Sequence, residues 1–311
     1  MSSTTGCACI GHASVLYRCY AKINLTLEIL RRREDGYHDL ASLVHTISLA
    51  DDLRVEPAGA LLTRVEGLVL DPETNLVARA AEALMTTTRA RAGAELTLVK
   101  RIPAAAGLGG GSSDAATTLV GLNRLWGTRL GLGELAQVAG ELGADVPFFL
   151  RGGAALMRGR GDDLTPLSPL ASQWLVIVVP PHAVMDKTRR LYGALEPTDF
   201  TNGASTLTAA DRLARQEPLR ADCLVNAFAR AARAVFPGLS EVWATAERVC
   251  ERRFFLSGAG PALFALASDR ADARRQLASL SHLDVAAHAA RTVKEARVSL
   301  NFARASRIRY P

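Results

Sequence analysis

The sequence predicts a two-domain enzyme fold that mixes strands and helices, of the α/β or α+β class. Three observations carry that prediction. The chain has 311 residues, enough for two domains with separate cores. Strand-like and helix-like apolar periods alternate in both halves. Between a strand pattern and a helix pattern lies a glycine-rich loop, PAAAGLGGGSSDAATTLVGL, at residues 103–122.

Taken in order, residues 14–30 alternate as a strand, and the charged run RRREDGYH makes a turn at Asp35-Gly36. Residues 43–55 read as a strand interrupted by Asp51-Asp52, and 61–69 as another. Apolar positions 76, 77, 80 and 84 form a helical stripe, with Asn75 as its cap. Residues 95–102 alternate again and stop at Pro103. After the loop, 115–125 predicts a helix capped by the Ser112-Ser113-Asp114 region, and 132–142 another closed by Gly143. Residues 152–157 are strand-like, and 158–169 are a Gly/Asp/Pro-rich connection, which puts a domain boundary near 170. Beyond it the pattern predicts a strand at 174–179 and a short basic helix at 186–195. Helices follow at 207–215, 222–235 and 239–251. A second glycine cluster, Ser257-Gly258-Ala259-Gly260, sits between two strand-like runs, and a last helix and strand end the pattern.

The loop holds the clearest chemistry. Gly107, Gly109, Gly110 and Gly111 fall within five residues. Glycines this dense cost backbone entropy and pack nothing; what they permit is positive φ and close approach of N–H groups to a bound group. Ahead of a helix N-terminus, that makes an anion site. No Gly-Lys-Ser/Thr follows, and position 112 is Ser, so neither the P-loop nor the dinucleotide fingerprint applies. The pattern is a third kind of phosphate loop.

Composition bounds the alternatives. Hydrophobic residues make up 49% and charged residues 22%, an ordinary globular balance. No apolar run is long enough to cross a bilayer and no secretory signal is legible, so the expectation is a cytoplasmic protein without membrane contact. Five cysteines, Cys7, Cys9, Cys19, Cys223 and Cys250, read as free thiols, since C-x-C without a second pair is a weak metal signal. The net charge of +6 suits a polyanionic partner. Nucleic acid is disfavoured, because aromatics are 5% and do not interleave with the basic residues. The four lysines, Lys22, Lys100, Lys187 and Lys294, are rare against the arginines.

AKINLTLEIL at 21–30, the loop at 103–117, LGADVPFFLRGGAA at 142–155 and LSGAGPALFAL at 256–266 together resemble the GHMP kinases. The pairing of AKINL with GADVPFF resembles members that phosphorylate the 2-hydroxyl of 4-diphosphocytidyl-2-C-methylerythritol, a step of non-mevalonate isoprenoid synthesis. The resemblance implies an α+β fold with a ribosomal-protein-like N-terminal ATP-binding domain (1–170) and a ferredoxin-like C-terminal domain (171–311). It implies that Pro103, Ala104, Ala105, Ala106, Gly107, Leu108, Gly109, Gly110, Gly111, Ser112 and Ser113 wrap the phosphates of ATP, with Mg²⁺ alongside. It implies Asp145 as general base with Lys22 beside it. Asn24, two residues on along the same strand face, reaches that pocket. Tyr37 and His38 would hold the cytidine of a cytidine-diphosphate substrate, by stacking and by hydrogen bonding. Gly258 and Gly260 would flank the phosphate site. The protein is expected as a monomer or homodimer.

Two stretches depart from the pattern. PPHAVMDKTRRLY follows Val179 where a Val-Ser-Thr element is usual, and Asn226-Ala227-Phe228 replaces an Asn-Asp pair. The rival readings are a GHMP kinase for a different alcohol, a nucleic-acid binder and a regulatory ATP binder.

Overall fold

The computed structural model describes residues 14–68, 75–170, 172–181 and 184–294. Cys7, Cys9 and the arginine-rich tail at 303–311 lie outside them. Two long antiparallel strands organise the fold, β1 (Val15–Arg32) and β2 (His38–Ala58), joined at the Asp35-Gly36 turn. Three register shifts along the pair, at Tyr20/Lys22, Asn24/Thr26 and Ile29/Arg31, add the twist that lets such long strands curve. Next come β3 (Leu61–Glu66), α1 (Leu76–Thr88), β4 (Gly93–Val99), α2 (Gly110–Leu125), α3 (Leu132–Leu142), α4 (Val146–Phe149), β5 (Ala154–Gly159) and β6 (Asp163–Leu167). Then follow β7 (Trp174–Val179), α5 (Lys187–Gly193), α6 (Ala204–Ala214), β8 (Val225–Asn226), α7 (Ala229–Val235) and α8 (Leu239–Cys250). The described chain closes with β9 (Phe255–Leu256), β10 (Leu263–Ala267), α9 (Arg270–Ser279) and β11 (Ala286–Arg291).

A seven-stranded sheet runs β3-β4-β2-β1-β8, with β5 and β6 added beside β2. A four-stranded sheet runs β11-β7-β10-β9. The strands of the first precede residue 168 except for β8, which returns to pair in parallel with β1.

The β1 strand threads the whole core. Tyr17 and Cys19 pack with the helices α1 to α3, Ala21, Ile23 and Leu25 with β7 and β10, and Leu27 and Ile29 with α7 and α8. Its other residues there, Lys22, Asn24, Thr26 and Glu28, are polar and equally buried. Buried polar groups must be paired. At the far end the α6 N-terminus does this: Thr206 N–H donates to Glu28 Oε2 (2.7 Å) and Thr206 Oγ1 donates to Thr26 Oγ1 (2.9 Å).

Several elements differ from the sequence reading. Asp51-Asp52 does not interrupt β2. Asp51 is fully buried and accepts the N–H groups of Arg101 and Ile102 together with the Lys100 ammonium, so a residue that reads as a breaker acts as a strut. Helix α2 begins at Gly110, not near Ala115; Gly109 is its cap at φ +71°, and Ser112, Ser113 and Asp114 lie in its first turns. The helix expected over 222–235 is a 3₁₀ turn, the short strand β8 and α7, because Asn226 bonds the second glycine loop. The Asn75 cap holds, its side chain accepting from Val77 N–H at 3.0 Å. Cys19, Cys223 and Cys250 are free thiols.

His45 ties the two sheets at their junction. Its Nδ1–H donates to Thr46 O (2.9 Å), and its Nε2 accepts the N–H of Leu170, just before β7 (3.0 Å). Burial pushes its pKa down from 6.5 to about 4. The unfolded chain therefore binds a proton that the folded chain refuses between those two values. Stability contributed by neutral His45 is present above pH 6.5 and lost as pH falls towards 4, by up to about 3 kcal/mol. Urea unfolding at about pH 7 and pH 4.5 is expected to show this loss, and His45→Gln, which does not titrate, to show a correspondingly smaller one.

Candidate active site

The glycine loop is held by its carbonyls. Four consecutive ones are taken by partners from three other parts of the chain. Ala105 O accepts from Lys187 Nζ, Ala106 O from Ala262 N–H (3.0 Å), Gly107 O from Ser257 Oγ (3.1 Å) and Leu108 O from Lys22 N–H (2.9 Å). Every second residue, Ala105, Gly107 and Gly109, has positive φ (51°, 86° and 71°). Backbone alternating in this way curls its N–H groups into a concave nest for anions. The N–H groups concerned run from residue 104 into the first turn of α2. The first of these close the nest and the last are the free donors of the α2 N-terminus.

The loop lines a cavity of about 410 Å³. Residues 103–107 and 109–112 face it, whereas Leu108 and Ser113 are buried and do not. Lys22 and Asp145 line the same cavity, with Lys22 Nζ 3.5 Å from Asp145 Oδ2. Asp145 caps the short helix α4, whose Pro147 suits a first turn, and its side chain is 37% exposed while that of Lys22 is 6% exposed. Asn24 fixes the lysine: its Oδ1 accepts from Lys22 Nζ, while its Nδ2 donates to Ser42 Oγ at 2.7 Å. Gly258 closes in from the second lobe. A Cβ there would stand 3.0 Å from Asn24 Oδ1 and 3.2 Å from Lys22 Nζ.

Beneath the loop, Lys100 is clamped between two buried carboxylates, Asp51 and Asp114 (2.7 Å to the latter). Burial alone would lower the lysine's pKa, but the two acids outweigh it and the pKa is raised. Burial pushes the Asp114 carboxyl up, against the pull of Lys100. This trio fastens the end of β4 to α2, and so fixes the strand-to-helix geometry across the loop.

Tyr37 and His38 are not in the cavity lining. Tyr37 is 58% exposed, with the Arg160 guanidinium 5.2 Å from its ring centre. His38 stacks on Tyr192 at 4.7 Å, and Tyr192 meets Phe228 edge-on at 4.9 Å. Helix α5 connects the two places: Lys187 at its start lines the cavity, and Tyr192 near its end covers His38.

Comparison with known proteins bears on this arrangement. The GHMP kinases N terminal domain matches residues 75–153, and the GHMP kinases C terminal domain matches 209–284. A 4-diphosphocytidyl-2-C-methyl-D-erythritol kinase of Dehalococcoides mccartyi is 39% identical over 82% of this chain and 90% of its own length. The kinase of that name from Pelotomaculum thermopropionicum is 40% identical over 85% of this chain and 93% of its own. The chain belongs to the GHMP kinases. A crystal structure of 4-(cytidine 5'-diphospho)-2C-methyl-D-erythritol kinase superposes with a TM-score of 0.77 at 37% identity, over 89% of this chain and 98% of that one. A homoserine kinase from Cytophaga hutchinsonii shares the fold at 16% identity (TM-score 0.65, 95% and 98% covered). The two-domain GHMP kinase fold expected from the sequence is therefore the one observed. GHMP kinases use ATP as phosphate donor, generally with a divalent metal.

Sequence reasoning missed Lys100, Ser257, Lys187 and Tyr192 at this kinase's cavity and its rim. One signal was available for the lysines. Three of the chain's four lysines, Lys22, Lys100 and Lys187, line the cavity.

The packing of the loop separates its glycines. A Cβ on Gly107 would lie 2.3 Å from Ser257 O and 2.9 Å from Gly260 N, at a positive φ that itself costs about 1–2 kcal/mol. On Gly111 the nearest atom is Leu76 Cδ1 at 3.4 Å. Gly107→Ala is expected to lower unfolding stability by more than about 2 kcal/mol, and Gly111→Ala to leave it within about 1 kcal/mol, on the stabilising side. Thermal melts of the two variants check the contrast.

Proposed function

We infer that this GHMP kinase transfers the γ-phosphoryl group of ATP to the 2-hydroxyl of 4-diphosphocytidyl-2-C-methyl-D-erythritol. One observation carries the chemistry: an open carboxylate, Asp145, shares a cavity with the glycine-loop nest and stands 3.5 Å from a buried lysine. The acceptor follows from the relatives, which carry that kinase name at 39–40% identity over most of both chains. Homoserine and mevalonate kinases, at 11–16% identity, are similar in fold alone.

In this reading the nest N–H groups and the α2 N-terminus bind phosphate oxygens, with the Ser112 hydroxyl as a further donor. Asp145 takes the proton of the attacking hydroxyl, and Lys22, held by Asn24 beside it, orients that hydroxyl. Little covalent work remains for the protein, so positioning and charge supply most of the rate. Tyr37 and His38 hold the cytosine at the far end of β1–β2, with Tyr192 backing the imidazole. Mg²⁺ fits the donors present. Ser112 and Asp145 bring oxygen to the cavity wall, and among the described residues the buried Asp114 Oδ1 beneath them accepts no hydrogen bond. An ion that takes one or two protein oxygens and otherwise phosphate and water would offset the triphosphate charge there. Residues 1–170 form the ATP-binding domain and 171–311 the second domain in this proposal, and the cytoplasm, where free thiols persist, is its place.

ADP release with Mg-ATP, measured with and without the cytidyl substrate, tests the reading. Substrate-dependent release is expected. Asp145→Asn should lower kcat by about 10²- to 10⁴-fold while ATP affinity stays within about threefold. Release with another alcohol and none with this one would overturn the choice of substrate.

A further inference from the structure

We propose that Lys187 is a phosphate-contacting residue of this kinase, a second ammonium that meets the polyphosphate beside Lys22 and bridges the two glycine loops. The inference deepens the reading above and rests on it for the identity of the reaction. Lys187 stands in the stretch that departs from the family pattern, PPHAVMDKTRRLY, so the resemblance assigns it nothing.

Four observations carry the assignment. Lys187 lines the cavity together with the glycine loop, Lys22 and Asp145. Its Nζ donates to Ala105 O in the first glycine loop and to Gly260 O in the second. An ammonium has three donors, so these two carbonyls leave one for a ligand. Neither carbonyl carries a formal charge, and no carboxylate forms an ion pair with Lys187 among the described residues. The charge is therefore held half-buried without neutralisation. Burial and the nearby positive charge of Lys22 together pull its pKa down to about 8, with Asp145 opposing them.

Lys100, which also lines the cavity, shows what a charge-paired lysine looks like in this chain. It is gripped by Asp51 and Asp114 and its pKa is raised. Lys187 has the opposite character, a cation kept beside another cation at an energetic cost. A polyanion entering the cavity removes that cost: each phosphate oxygen near the two ammonium groups relieves their repulsion and supplies the missing countercharge. Because its two carbonyl partners belong to different loops, the same side chain also holds the lips of the cavity at a fixed separation. The compact ammonium suits this double task better than the planar guanidinium that the chain uses nearly everywhere else.

The test separates a phosphate contact from a mere clamp. Lys187→Gln keeps an N–H donor for the carbonyls and drops the charge. Adenosine, ADP and ATP are titrated calorimetrically into wild type and variant. The proposal expects ADP and ATP to weaken about 10- to 100-fold, the worth of a charge-assisted hydrogen bond, with adenosine unchanged within about twofold. Equal losses for all three, or none, would overturn it. Should the variant fail to fold, wild type suffices. With four lysines in the chain, ¹³Cε NMR of labelled lysine resolves Lys187. Its resonance is expected to move with ADP and ATP and not with adenosine, and a resonance indifferent to phosphate would sink the idea. None of these readouts needs the alcohol. A wild type that binds ATP but phosphorylates nothing defeats the reaction, whereas normal turnover with an indifferent Lys187 defeats only this inference.

Discussion

The anchoring of four successive carbonyls in the glycine loop is the constraint on which the rest of the site depends. A flexible glycine run has no reason to present its N–H groups in one direction. Here the carbonyls of residues 105 to 108 are each fixed by a partner from elsewhere: α5, the second glycine loop twice, and β1. With that side of the peptide chain occupied, the N–H groups are left facing the cavity, and the ordering entropy of the glycines is offset in the fold before any ligand arrives. The anchors also explain why two lobes are needed. Three of the four come from residues beyond 186, so neither the loop nor its nest is complete in the N-terminal part alone.

Charge is distributed around this frame in two ways that the partners distinguish. The Asp51–Lys100–Asp114 group is mutually paired around two buried carboxylates, and it braces the strand-to-helix join under the loop. A buried charge group of this kind is costly to break and contributes geometry more than net stability. Lys22 and Asp145 are paired less closely, with the carboxylate open to the cavity. Among the described residues, Lys187 has carbonyl partners alone. The gradient runs from charges paired beneath the glycine loop to less fully paired ones around the same cavity, which is where perturbed groups gather when a site is arranged for an ionic ligand.

Much of this was legible in the residues, for identifiable reasons. Four glycines between an alternating strand and an apolar helix leave few structural uses other than anion binding. The even-numbered polar residues Lys22, Asn24, Thr26 and Glu28 could be seen as one strand face, but their burial could not, because it requires β8 and α6 to return from nearly two hundred residues away. Asp51 read as a strand breaker because its compensation is tertiary. The start of α2 was misplaced because its cap is Gly109 in the left-handed region, which leaves no side-chain signature. Tyr37 and His38 drew attention through resemblance alone. Tyr192 carried no signal, since its stacking on His38 joins segments more than 150 residues apart.

Helix α5 lies in a stretch, PPHAVMDKTRRLY, that departs from the family pattern. It is seven residues long, with Lys187 at its first position and Tyr192 five residues later. That separation is about 7.5 Å along the axis, so one short rigid piece carries a cation at the phosphate cavity and an aromatic ring at the base-holding residues proposed above. Tyr192 also feels Asp145 electrostatically: after burial, the carboxylate is the second cause raising its phenol pKa. A substrate whose base and reacting hydroxyl are joined by a diphosphate would touch both ends of this helix at once. Binding at His38 would then bear on the position of Lys187 through α5 rather than through the sheet. The usual Val-Ser-Thr element is thus replaced by a helix whose two ends match the two ends of such a substrate.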